Sequence, residues 1–92
     1  FSYTLAKSSL LNFTKLSAQE LGPKIRVNAI GPGPILKASH QSEEQFQNQR
    51  KSTLLKRGSD VKEICRTILY ILSSPGLTGQ LITLDGGEHL TW

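Results

Sequence analysis

Between Ser2 and Leu21 the chain contains no Gly or Pro, and Leu5, Ala6, Leu10, Phe13, Leu16 and Leu21 fall on one wide arc at the helical repeat. Thr4, Asn12, Lys15 and Gln19 form the narrow polar arc. A helix with so little polar surface is expected to be covered on more than one side. Gly22-Pro23 ends it, a residue tolerant of positive φ followed by one that cannot continue a helix. The β-branched run Ile25-Arg26-Val27-Asn28-Ala29-Ile30 predicts a strand, and Gly31-Pro32-Gly33-Pro34 predicts a stiff loop after it. Ser42-Glu43-Glu44-Gln45 has capping-box spacing, which predicts a short polar surface helix over about residues 42–52. Asp60 caps a second amphipathic run, in which Val61, Ile64, Cys65, Ile68, Ile71 and Leu72 keep a helical rhythm up to Ser73-Ser74-Pro75-Gly76. Gln80-Leu81-Ile82-Thr83-Leu84 predicts a last strand, stopped by Asp85-Gly86-Gly87.

Strands separated by helices imply a parallel α/β sheet. Two parallel strands cannot cover their own faces, so the 92 residues are expected to be part of one domain that needs further strands to fold. The lack of an initiating Met and the helical pattern at the start add the expectation that the chain begins mid-fold. No repeat or linker divides residues 1–92.

Tyr3 and Lys7 lie four apart on the first helix, so a phenol and an ammonium project from one face about a turn from each other. A free phenol, with a pKa near ~10, is a poor proton shuttle at neutral pH. A unit positive charge at ~4 Å and effective dielectric ~20 contributes roughly 4 kcal/mol, about three pKa units. That brings a tyrosine into a useful range for acid–base work. The small neighbours Ala6, Ser8 and Ser9 leave room around the pair.

Composition narrows the remaining classes. The net charge of +4 is spread along the chain, and Lys51, Lys56 and Arg57 lack interleaved aromatics, so no nucleic-acid partner is expected. The single Cys65 excludes an internal disulfide and suits a reducing cytoplasm. No apolar run reaches the roughly 18 residues of a membrane span, and the first residues lack the layout of a signal peptide. His40 in a polar loop and His89 in the tail have no partners at ligand spacing; both are read as surface or tail residues, and no metal is expected. Asp85-Gly86-Gly87 lacks the acidic run of a calcium loop and is read as a turn. Ser8, Ser9 and Ser17 have no histidine one helical turn away and are read as packing residues.

From Tyr3-x-x-x-Lys7 through Arg26-Val27-Asn28-Ala29-Ile30-x-Pro32-Gly33 to Thr78-Gly79-Gln80 and Asp85-Gly86-Gly87, the chain resembles the short-chain dehydrogenase/reductase family, in its C-terminal part. The wording of residues 31–35 and 85–92 looks most like the pteridine-reductase-like branch. The resemblance implies the C-terminal portion of a Rossmann-type, doubly wound parallel sheet. It implies Tyr3 as the proton donor or acceptor at the substrate oxygen. Lys7 would hold the nicotinamide ribose and lower the tyrosine pKa, and Pro32, Gly33 and the backbone of Ile35 would meet the nicotinamide. The branch implies NADP(H) in preference to NAD(H), and a small carbonyl or pterin-type substrate under a lid over residues 37–56.

Lys37 departs from the threonine that many members carry, which weakens the phosphate contact made there. The family's serine and upstream asparagine would fall before Phe1. The glycine-rich phosphate turn is not in these residues, since Gly31 and Gly33 lack the third glycine and a following helix. These residues alone are therefore expected to be inactive. The apolar run Ile68–Leu72 and the tail ending in Trp92 suggest a subunit contact, and the family implies a homo-oligomer, dimer or tetramer. The competing reading is a truncated, non-catalytic remnant that only assembles.

Overall fold

The computed structural model describes residues 2–90, with side chains from Leu5 onward. Three helices and two strands alternate in order: α1 (Ser2–Leu21), β1 (Ala29–Gly31), α2 (Glu43–Lys51), α3 (Val61–Leu72) and β2 (Leu81–Thr83), followed by a 3₁₀ turn over Glu88–Leu90. The strands pair in parallel, Ala29 with Leu81, Ile30 with Ile82 and Gly31 with Thr83. This is the α/β arrangement the hydrophobic pattern predicts.

The helices start and stop where their caps dictate. Ser42 accepts from the Gln45 amide at 3.0 Å, and the Gln45 side chain accepts from the Ser42 amide at 2.8 Å, closing the capping box of α2. Asp60 accepts from the Glu63 amide at 2.8 Å at the head of α3. That bond holds the Asp60 carboxyl below its usual pKa. Gly22 closes α1 by donating its backbone N–H to the Ala18 carbonyl at 3.0 Å.

The first strand is shorter than the run Ile25–Ile30 suggests and extends one residue further, to Gly31. Its opening residues are held by side chains and turns instead of a ladder. The Val27 amide donates to the Thr78 hydroxyl at 3.1 Å, and the Val27 carbonyl accepts from Gly79, whose φ of +72° turns the chain there. Asn28 donates to the Leu77 carbonyl at 2.9 Å and accepts from the Gln80 amide at 3.1 Å. Arg26 donates to the carbonyls of Ile71, Ser74 and Leu77 at 2.9–3.0 Å, satisfying the end of α3 from outside the helix. The motif around Asn28 and the one around Thr78 are thus two sides of one hydrogen-bonded seam.

The described residues build little core. Phe46 is the only large apolar side chain among them that is buried, while Phe13, Leu16, Leu69 and Leu72 are each about two-thirds exposed. The radius of gyration is 14.8 Å, against roughly 12 Å for a compact domain of this length. The apolar faces of α1 and α3 lie open, as expected of a piece that two strands cannot cover.

Candidate active site

Parallel pairing brings the carboxyl ends of both strands to one edge of the sheet, where α/β folds place their ligands. Gly31-Pro32-Gly33-Pro34 leaves β1 there and Asp85-Gly86-Gly87 leaves β2 beside it. Helix α1 packs against β1 and carries Lys7 to the same edge. A cavity of about 440 Å³ opens between them, lined by Lys7, Gly31, Pro32, Gly33, Gln49 and Glu88 among others.

Two glycines make that approach possible. A Cβ on Gly31 would stand 3.0 Å from Lys7 Nζ, and one on Gly33 would stand 2.5 Å from the Asp85 Cβ. Gly33 also has a φ of +70°, a conformation that side chains other than glycine's adopt only with strain.

Asp85 is the most enclosed charge at this edge, at 1% exposure. Its carboxylate accepts from the amides of Gly87 and His89, each at 3.0 Å, and from the His89 ring, with Nδ1 2.9 and 3.1 Å from the two oxygens. An ionised carboxylate only accepts, so Nδ1 carries the proton. Lys7 Nζ lies 3.5 Å from the second oxygen, with 19% of its side chain exposed. Burial alone would push the Asp85 carboxyl upward. The His89 ring and amide, with the Gly87 amide, outweigh that and hold it below the usual carboxylate range.

Helix α2 closes the far side. Arg50 donates to the carbonyls of Pro34, Gly58 and Ser59 at 2.7, 3.2 and 3.3 Å and stacks over Phe46. Ser59 donates to the Leu84 carbonyl. The lid expected over residues 37–56 is thereby tied to both loops, and Gln49 reaches the cavity from it.

Of the residues singled out from the sequence, Lys7, Pro32 and Gly33 come together at the cavity. Ile35 lies just past its lining, half-buried. Tyr3 lies on α1, but its side chain is outside the described part, as is Trp92. Lys37 is exposed and donates to the Gln41 carbonyl at 3.0 Å. The structure adds to two readings. His89 is not a free tail residue, since the turn after Gly87 folds its ring onto Asp85. Asp85-Gly86-Gly87 is more than a strand stop, because its aspartate meets Lys7. The sequence signal was an Asp four residues before a His at the end of a predicted strand. Among the described residues no group of His, Cys, Asp and Glu is arranged to hold a metal.

Comparison with known proteins agrees with this geometry. A family model described as enoyl-(acyl carrier protein) reductase, within the short-chain dehydrogenase/reductases, matches residues 2–89. Dihydromonapterin reductase of Escherichia coli K12 is 36% identical over 89 residues, covering 97% of this chain and 37% of the relative. The crystal structure of FolM alternative dihydrofolate reductase 1 from Brucella suis, in complex with NADP, is 49% identical with a TM-score of 0.87, over 100% of this chain and 37% of that one. A short-chain dehydrogenase from Leptospira borgpetersenii with bound NAD+ is 33% identical with a TM-score of 0.75, over 95% of this chain and 35% of that one. The chain thus spans little more than a third of the length of these relatives. A family match over residues 2–89, with relatives of this identity along nearly the whole chain, makes this chain a member of the short-chain dehydrogenase/reductase family, in its C-terminal part and most like the pteridine-reductase-like branch.

Proposed function

We propose that the protein is an NADP(H)-dependent oxidoreductase acting on a pterin-type or related small carbonyl substrate, and that these residues supply its proton-handling and nicotinamide-binding part. The observation that carries the reading is the shared cavity of Lys7 and the Gly31–Pro34 loop at the carboxyl edge of a parallel sheet.

The residues fit one end of such a cofactor. Glycine at 31 leaves free the space that a Cβ would take from Lys7 Nζ, and a polar, partly enclosed ammonium suits the ribose hydroxyls. Lys7 would hold the ribose, and Pro32, Gly33 and the Ile35 backbone would hold the nicotinamide, with the prolines lowering the ordering cost. When bound, the cofactor supplies the hydride. Tyr3 donates the proton to the substrate oxygen, and the Lys7 charge one turn away stabilises the phenolate left behind. NADP rather than NAD is supported by relatives in complex with NADP, although another holds NAD+.

The open face of α3, with Leu69, Tyr70 and Leu72 exposed, supports a homo-oligomer through this helix. The same face favours the remnant reading, in which assembly is all that survives. Among the described residues no helix is long and apolar enough to cross a membrane, and the free Cys65 supports a reducing cytoplasm. The test is NADPH consumption by the complete protein with a dihydropterin substrate. Turnover is expected, and Tyr3→Phe should lower kcat by about 100-fold or more while NADPH affinity holds. Tyr3→Phe with normal turnover would overturn the role of the tyrosine, and a complete protein that neither binds nor oxidises NADPH would leave the remnant reading.

A further inference from the structure

We infer that Asp85, locked by His89, is the positioning residue for Lys7: a buried carboxylate that sets where the ammonium stands in the cavity and how much of its charge the site feels. The inference rests on the reading of Lys7 given above and extends it to Asp85 and His89, to which that reading gives no role.

A lysine side chain has four rotatable bonds and no shape of its own, so its position at a cavity must be set by what it meets. Lys7 meets Asp85 at 3.5 Å. Asp85 is itself immobile, because two backbone amides and the His89 ring hold its oxygens from within the same turn. Those bonds would suffice to make a turn. Contact with a lysine from the first helix is additional, and so is the packing of Gly33, where a Cβ would run into the aspartate. Asp85 therefore touches both the lysine and the loop that share the cavity.

The arrangement has an electrical consequence. A carboxylate at this distance offsets part of the ammonium's field, and His89 competes with Lys7 for the same carboxylate. The charged or titratable groups packed at Asp85 are Lys7 from α1 and His89 from the 3₁₀ turn, with Glu88 beside it on the cavity wall; residues 31–36 contribute none. Removing the aspartate takes from Lys7 its buried anion and from His89 the acceptor of its ring N–H.

The experiment combines a crystal structure of Asp85→Asn in the complete protein with NADPH turnover and its pH–rate profile. In Asp85→Asn the Lys7 ammonium should leave the place it holds beside residue 85. In parallel, Asp85→Asn should cost about tenfold or more in kcat and displace the pH–rate profile. His89→Gln, which keeps an N–H donor for the carboxylate, should stay within about threefold of the parent, while His89→Ala should not. A purely structural aspartate would lower thermal stability without moving Lys7 or the pH profile. Lys7 in its parent position in Asp85→Asn, with kcat and the pH profile unchanged, overturns the inference. Should Asp85→Asn fail to fold, the His89 pair decides the matter alone, and equal kcat in His89→Gln and His89→Ala overturns the inference. A parent protein without NADPH turnover would count against the reductase reading, and the position of Lys7 in Asp85→Asn would still decide the coupling.

Discussion

The carboxyl edge of the sheet and the outer faces of the helices are built on opposite terms. At the edge, the polar side chains of Thr53, Ser59, Asp85 and Glu88 are buried, and no buried side-chain nitrogen or oxygen among the described residues lacks a partner. On the outer faces of α1 and α3, Phe13, Leu16, Leu69 and Leu72 stand open to water. Hydrogen bonds are short-range and directional, so a loop cluster can complete itself from neighbouring segments. Apolar burial needs area, and two strands with three helices do not supply it. The site end of this domain is thus organised by its own residues, whereas its core depends on whatever packs on the helices.

That contrast can be tested from both sides. The largest effect is expected from Leu16→Ala in the complete protein. If the face of α1 is covered there, urea denaturation should show a loss of about 2–4 kcal/mol, whereas a face left open would make the substitution nearly silent. Gly33→Ala should follow, at about 2–3 kcal/mol, since it combines a left-handed backbone with a collision against Asp85. Its signature is a coupled loss of NADPH affinity, which Leu16→Ala should not share. Arg26→Met removes a charged donor from the Ile71 carbonyl in the last turn of α3 and from those of Ser74 and Leu77 in the turn after it, and should cost about 1.5–3 kcal/mol by thermal denaturation. Lysine at 26 should restore little of that, because a single ammonium cannot reproduce the guanidinium fork. Ser42→Ala is expected to be the mildest at about 1 kcal/mol, with faster amide exchange confined to α2.

Local rules carried the element boundaries furthest. The capping box at Ser42, the cap at Asp60 and the stop at Gly22-Pro23 each act within one turn, so their residues suffice to place α1, α2 and α3. The first strand was misjudged because Val27 and Asn28 find their partners at Thr78, Leu77 and Gln80, some fifty residues away, and no local pattern announces that seam. The candidate site divides in the same way. Lys7 and the glycine–proline loop were readable from spacing and motif. Asp85 and His89 passed for a turn and a tail, since only the fold brings the aspartate against α1.

By itself, then, the sequence determined the helices, the parallel alternation, the glycines at 31 and 33 and the family to which they belong, all of which follow from steric and hydrogen-bonding rules over a few residues or from an ordered set of motifs. The tertiary structure alone decided that both strand ends meet Lys7 at one cavity, that Asp85 is buried beneath it, and that His89 folds back to hold that carboxylate. Those outcomes depend on contacts between segments far apart in the chain, and such contacts are set by packing and burial, which no window of sequence contains.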